Sequence, residues 1–411
     1  MDSQLSNQFM DLDCFLQKTS NLWRFEPFQQ SIHLDLPWQQ THPDLCQLLN
    51  GLTKKDILRL KQNTTDLIVL LTPYIPELDS VVTLCQLDPL NSEELVLPQG
   101  FDVGIPGRKW QQICTMGMAA LKVELADDSG EWLEWCAGKG YLGQVISQQS
   151  QRPVTSLEWQ HSLCHSGQVL ADKRQLMMNF VQGDALSEKV KLIMKPNQHA
   201  VALHACGDLH AHLIELARDV GLSALTISPC CYHLTQFDTY QALSAEGKKS
   251  SLQLSKNELR IPLQETVTGG QRVQLYRRQE MTYRLAVDCL RQEDLGERQY
   301  TPLPSIKKSE LSLGFAHFCN WANQQPSFQK KQLDLSLGDL GVYLAKGEKR
   351  FIHMERMSLV QQVFRRALEM WLVYDKALRL EQDGYRVSLS LFCTREITPR
   401  NILIQAQKLN R

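Results

Sequence analysis

The sequence predicts an α/β protein, a mainly parallel sheet with helices on both faces, joined to a mostly helical N-terminal region and a helical insertion. Three observations predict it. Short apolar runs alternate with helix-like stretches from Trp110 to Ser228, the pitch of strand–helix–strand units. The first run enters its helix through closely spaced glycines. Two further apolar runs, Tyr385–Thr394 and Asn401–Gln407, close the chain with only Arg395–Arg400 between them.

Residues 1–105 mix helical patterning with proline breaks. Ile57 to Leu71 reads as helix, and Pro73 and Pro76 punctuate it. Residues 92–109 read as a connector, and Gln112–Leu125 as a helix. Trp132–Cys136 is the first expected strand, followed by a helix from Tyr141. Val154–Glu158 is the second, with a helix over His161–Lys173, and Met177–Gln182 is the third. Ala200–His204 is the fourth, followed by a helix with Leu213, Leu216, Ala217 and Val220 inward, and Leu222–Ser228 is the fifth. Residues 240–360 look helical and irregular, and Met357–Leu380 reads as one long helix. The expected division is therefore 1–105 as an N-terminal region, 106–239 as the first part of the catalytic domain, 240–360 as an insertion and possible substrate-recognition region, and 361–411 as the closing helix and strand pair.

The chain has 411 residues, 43% hydrophobic and 22% charged, within the range of soluble globular proteins. No stretch is long and apolar enough to predict a membrane span. The opening Met1–Gln8 lacks the basic and apolar regions of a secretory signal, and the twelve cysteines follow no disulfide spacing. Both predict a cytoplasmic protein with reduced thiols. Residues 1–240 hold 17 Lys and Arg against 27 Asp and Glu, a net of −10, while residues 241–411 hold 27 against 18, a net of +9. A basic half can attract a polyanion, or be a solvated surface that pairs with the acidic half.

Glu134–Gly143 carries the main chemical signal. Gly138, Gly140 and Gly143 fit GxGxxG, which lets the backbone turn tightly and approach a ligand at a strand's carboxyl end. Glu158 ends the next expected strand, 20 residues beyond Gly138, where an acid can accept bonds from the hydroxyls of an adenosyl ribose. NAD and S-adenosyl-L-methionine both carry that ribose. Three features favour the methyl donor: Glu134, a carboxylate suited to the donor's ammonium end; Asp184 with Ala185 after the third strand, suited to the adenine amino group; and the closing strand pair. The expected cofactor contacts are Glu134, Cys136, Ala137, Gly138, Lys139, Gly140, Glu158, Trp159, Asp184, Ala185, His204 and Cys206.

The fourth and fifth expected strands end in Leu203–Leu209 and Ser228–His233, bringing imidazoles, thiols, a carboxylate and a phenol to the ligand-binding rim. His204, Asp208 and His233 are candidate bases or positioning groups, and Tyr232 a candidate stacking or capping residue. Cys230, near Cys206, can be read as a nucleophile on a pyrimidine or as a small apolar packer. A zinc site from His204, Cys206, Cys230, Cys231 and His233 is a further reading. No metal is expected, because adjacent cysteines chelate one tetrahedral ion poorly and no CxxC is present.

These three motifs, with the C-terminal Phe392–Asn401, resemble a family of class I S-adenosylmethionine-dependent methyltransferase domains. That family includes the methyltransferase-like 25 proteins, the glutathione S-transferase C-terminal-domain-containing protein and, distantly, the tRNA 2'-O-ribose methyltransferase. The resemblance covers residues 108–235 and 365–411 and implies a Rossmann-like seven-stranded methyltransferase sheet and a methyl donor. It places the cofactor role on Glu134, Gly138, Gly140, Glu158 and Asp184. The expected acceptor is RNA (tRNA or rRNA), with phosphate contacts at Arg108, Lys109, Arg277, Arg278, Lys307, Lys308, Lys330, Lys331, Arg365 and Arg366. Methylation of a protein or small molecule, a non-catalytic cofactor-binding scaffold and an NAD-dependent dehydrogenase are the alternatives.

Overall fold

The computed structural model describes residues 3–33, 35–90, 95–123, 130–264, 270–297, 299–329, 331–335 and 339–409. Lys330 lies outside them. The strands are β1 (Glu131–Trp135), β2 (Val154–Glu158), β3 (Met178–Gln182), β4 (Gln198–Cys206), β5 (Ala224–Cys230), β6 (Tyr385–Leu391) and β7 (Ile402–Lys408). Among the described residues they form one seven-stranded sheet in the order β3-β2-β1-β4-β5-β7-β6. β1 to β5 run parallel, and β7 lies antiparallel to both β5 and β6. This is the α/β, Rossmann-like architecture the sequence predicts. All seven residues of β5 are buried, so its continuous apolar run fits a central strand covered on both faces.

The chain divides into two compact units, and the division differs from the four expected segments. The first contains residues 1–17, 80–267 and 365–411. Its core includes Met116, Ala120, Trp132, Val145 and Leu403. The connector belongs to this unit: Leu97 and Ile105 pack on that core, and the Leu90 amide donates to the Leu391 carbonyl at 2.8 Å. So does the segment after β5. The buried Asp375 carboxylate accepts from the Tyr240 hydroxyl at 2.7 Å, from the Leu243 and Ser244 amides at 2.9 Å and from the Ser244 hydroxyl at 2.6 Å.

The second unit contains residues 18–79 and 268–364. Its helices include Lys54–Gln62, Gln271–Leu295, Phe315–Asn323 and Leu340–Val363. Tyr283, Leu290, Phe318 and Phe328 form part of a core in the later segment. The Gln361 side-chain amide donates to the Trp23 and Phe25 carbonyls, both at 2.9 Å, tying the two segments together. No described helix is long and apolar enough to cross a membrane.

The expected helix over Met357–Leu380 is two helices, Leu340–Val363 and Arg365–Gln382. The Phe364 amide bonds to the Gln361 carbonyl, so the turn tightens there and the ladder restarts. Neither glycine nor proline marks the break.

Asp375→Ala leaves the Ser244 and Leu243 amides and two hydroxyls without their acceptor. The variant should lose at least about 3 kcal/mol of stability, several unpaired buried donors costing ~1–3 kcal/mol each. Thermal melting of both proteins measures this, and an unchanged midpoint would show that the carboxylate is not a structural tie.

Candidate functional site

The carboxyl ends of β1, β2 and β3 open onto a cleft of about 420 Å³, within the size range of small-molecule pockets. Cys136, Leu157, Glu158, Trp159, Gly183, Asp184, Ala185 and Leu209 line it. The glycine turn forms its edge. Gly138 and Gly140 have φ of 61° and 70°, and a Cβ at Gly138 would meet nothing within 4 Å. At Gly140 a Cβ would lie 2.4 Å from the Phe180 ring, so this position excludes any side chain.

Glu158 braces the turn. Its Oε2 accepts from the Gly138 amide at 2.8 Å and its Oε1 from the Gln160 amide at 2.9 Å. Asp184 Oδ1 accepts from the Leu186 amide at 2.9 Å and so shapes its own turn beside the cleft. Trp159 is 65% exposed at the rim. Burial pushes the Cys136 thiol up to about 12, which keeps it protonated at neutral pH. Ala137 is half-buried, and its amide donates to the Leu157 carbonyl; Lys139 is exposed and does not line the cleft.

Glu134 is placed differently from the expectation. It is 3% exposed and sits beneath the turn. The Ser156 hydroxyl, opposite it in the β1–β2 register, donates to Oε2 at 2.8 Å, and the Leu142 and Gly143 amides also bond to the carboxyl. These partners occupy the group expected to take an ammonium. It anchors the start of the Tyr141–Ser150 helix instead, where amides and dipole favour a carboxylate. A Cβ at Gly143 would lie 2.4 Å from Glu134 Oε2, which explains that glycine.

The second cluster lies at the ends of β4 and β5. His204, half-buried with φ of 66°, is bonded through Nε2 to Gln112 Oε1 at 2.7 Å. Burial, with a smaller contribution from Lys109, lowers its pKa. His233 is lowered by burial and then by Arg260, and its buried Nδ1 has no hydrogen-bond partner among the described residues. Both imidazoles are therefore neutral near pH 7 and able to take a proton. Asp208 opens the Asp208–Val220 helix, and its Oδ2 accepts from the Gln236 amide at 2.9 Å. The Cys206 and Cys230 sulfurs lie 3.4 Å apart. Hydrogen bonds from the Cys206 and Cys230 thiols hold the Cys231 thiol well below its ordinary value.

Tyr232 corrects a second expectation. It is 3% exposed, with its ring edge-on to His210 at 5.9 Å and Lys376 Nζ 5.3 Å from its centroid. Packed in the core, it has no open face for stacking on an acceptor. Burial raises its pKa. Leu157, Gly183, Leu209 and Gln112 are site residues absent from the expected set. For Gln112, a polar residue on the buried face of the Gly107–Leu121 helix was the available signal.

Residues 108–237 match a family described as "Methyltransferase domain". The match takes in β1 to β5, the cleft and the cysteine–histidine rim. No curated protein matches the chain. Among solved structures, the chain is similar to the bifunctional kinase-methyltransferase WbdD, at 13% identity over 42% of this chain and 37% of that one, with a TM-score of 0.23. A low-resolution structure of WbdD with its C-terminal bundle ordered is similar at 11% identity, the chain spanning about a third of its length (33%, against 41% of this chain), with a TM-score of 0.23. Coclaurine N-methyltransferase bound to N-methylheliamine and SAH is similar at 10% identity over 78% of this chain and 93% of that one, with a TM-score of 0.22. Likenesses this low carry no weight for chemistry.

Burial pushes the Glu134 carboxyl from its ordinary 4.5 up to about 7. Between those values the folded chain holds a proton that the unfolded chain has released, so this group's contribution to stability falls as pH rises and levels off above about 7. Glu134→Gln removes the titration. From about pH 5 to about pH 8 the variant should gain on the native protein by up to roughly 3 kcal/mol in urea unfolding. A difference that stays constant across that range would show that Glu134 does not titrate there.

Proposed function

We propose that this chain is an S-adenosyl-L-methionine-dependent methyltransferase acting in the cytoplasm. The match over residues 108–237 supports a methyltransferase, and the single observation that carries the cofactor is the cleft, where the Gly138 turn faces open space and Glu158 and Asp184 end adjacent strands. In this reading Glu158, which lines the cleft and keeps a lone pair on each oxygen beyond its Gly138 and Gln160 bonds, accepts from the ribose hydroxyls, Asp184 takes the adenine amino group and Gly138 lets the backbone approach the ligand. Cys136, Trp159 and Ala185 complete the wall, and Ala137 and Gly140 shape the turn beside it. The donor supplies a methyl group already activated by its sulfonium charge. The protein aligns the acceptor and, where needed, removes its proton. His204, His233 and Asp208 are the proposed positioning or proton-accepting groups.

The charge distribution over the fold bears on the acceptor. The helical unit holds 20 Lys and Arg against 17 Asp and Glu, +3, and the sheet unit 24 against 28, −4. The contrast between sequence halves that motivated RNA is thus largely mixed away. Three of the expected phosphate contacts have partners already: Arg366 with Glu369 at 2.7 Å, Lys331 with Glu297 at 3.5 Å, and Arg365, which donates to Gln264 Oε1 at 3.2 Å. We therefore place a protein or small-molecule acceptor ahead of RNA.

Calorimetric titration with S-adenosylhomocysteine should show binding in the micromolar range, and NADH should show none. Gly138→Val puts a branched side chain on left-handed backbone in open space beside the cleft and should weaken binding by more than about tenfold while the fold persists. Glu158→Ala should cost about 1.5–3 kcal/mol of affinity. NADH binding without S-adenosylhomocysteine binding would replace the reading by a dehydrogenase, and binding of neither would leave a scaffold. Tritiated-methyl transfer into RNA, protein and small-molecule fractions then assigns the acceptor. Labelled RNA whose yield falls steeply with salt would reverse the order proposed here.

A further inference from the structure

β4 and β5 end beside one another, and a register shift between Leu203 and Cys206 brings Cys206 opposite Cys230. Along an extended strand the next residue, Cys231, would point to the other face. Cys231 instead has φ of 48°, a left-handed turn that ends the extension and folds its thiol back. The three sulfurs all lie within 4.8 Å of one another, and no further His, Cys, Asp or Glu joins them among the described residues. The spacing that counts against chelation in the sequence is thus overcome by one backbone conformation.

We propose that Cys206, Cys230 and Cys231 bind a single zinc ion as thiolates. Zinc–sulfur bonds of about 2.3 Å set tetrahedral sulfur–sulfur edges at about 3.8 Å. The Cys206–Cys230 separation of 3.4 Å is within a few tenths of an ångström of that edge. Soft thiolate sets select soft d¹⁰ ions, and zinc needs no redox partner. On binding, the protons the thiols still hold pass to solvent, three zinc–sulfur bonds form, and no electrons are transferred. With three protein ligands the fourth position takes water or an acceptor atom, the arrangement of a catalytic and not of a closed structural site. The β4 strand that carries Cys206 leads to the cleft, whose lining includes Leu209, three residues beyond Cys206.

The full chain, purified under reducing conditions without chelator, should carry about one equivalent of zinc by elemental mass spectrometry. Cys206→Ser and Cys231→Ser should fall to background, and Cys114→Ser, outside the cluster, should keep the native level. Cobalt titration of the metal-free native protein gives a readout that needs no variant. A thiolate-to-cobalt charge-transfer band that zinc abolishes is the expected result. S-adenosylhomocysteine binding by the metal-free protein is measured in parallel, so failure of the donor reading and failure of the zinc site are read separately. No retained zinc together with no cobalt band overturns the site. So does native zinc content in Cys231→Ser, or a Cys206–Cys230 disulfide in peptide mass mapping of the protein as purified.

Discussion

The turn from Ala137 to Gly143 lies at the edge of the cleft, and its amides cannot be left without acceptors once the sheet is packed. Two carboxylates from neighbouring strands resolve this. Glu134 comes from beneath and takes the Leu142 and Gly143 amides; Glu158 comes from the next strand and takes the Gly138 and Gln160 amides. The first fixes where the helix starts, and the second fixes the path of the turn. The glycines follow from this arrangement, since Gly143 makes room for Glu134 and Gly140 for Phe180.

The same edge of the sheet concentrates unfavourable backbone. Of five non-glycine residues with positive φ among those described, three follow directly on or close strands that end here: Cys136 at β1, His204 within β4 and Cys231 after β5. The other two, Gln151 and Gln175, lie just beyond helix ends. Gly207 belongs with the first group, for a Cβ there would sit 1.9 Å from the Leu234 carbonyl oxygen. Each such residue costs on the order of 1–3 kcal/mol and persists only where surrounding contacts over-determine it. Here those contacts include the Gly207 amide to the Cys230 carbonyl and the Asp208 amide to the Leu234 carbonyl. They lock the β4 and β5 ends together.

The sheet was legible because its strands are apolar runs bounded by turn residues, and each expected strand lies within about two or three residues of the observed one. The cleft was legible for a related reason: Glu158 closes β2, Gly138 and Asp184 lie just past the ends of β1 and β3, and strand ends of a parallel sheet share one edge. What failed to show were partners distant in sequence. Nothing near Gln361 announces that its amide will bridge the Trp23 and Phe25 carbonyls, so residues 18–79 and 268–364 read as unrelated segments. Glu134 and Tyr232 were misplaced because residue type suggests a role while burial decides it.

Tyr232 has a different part in the site. Its ring is held inward between His210 and Lys376, with Tyr240 also against Lys376: the Lys376 ammonium donates to the Tyr240 hydroxyl at 2.8 Å. Burial lowers that lysine to about 8, so it still carries its proton at neutral pH, beside the Asp375 carboxylate that bonds to the same Tyr240 hydroxyl. With the middle residue of Cys231-Tyr232-His233 anchored in the core, its two neighbours are left half-buried at the rim. The tyrosine that looked like a ligand contact thus presents a thiol and an imidazole by facing the other way. A smaller residue at 232 would leave the turn free to rotate, and the positions of Cys231 and His233 would no longer be fixed by packing.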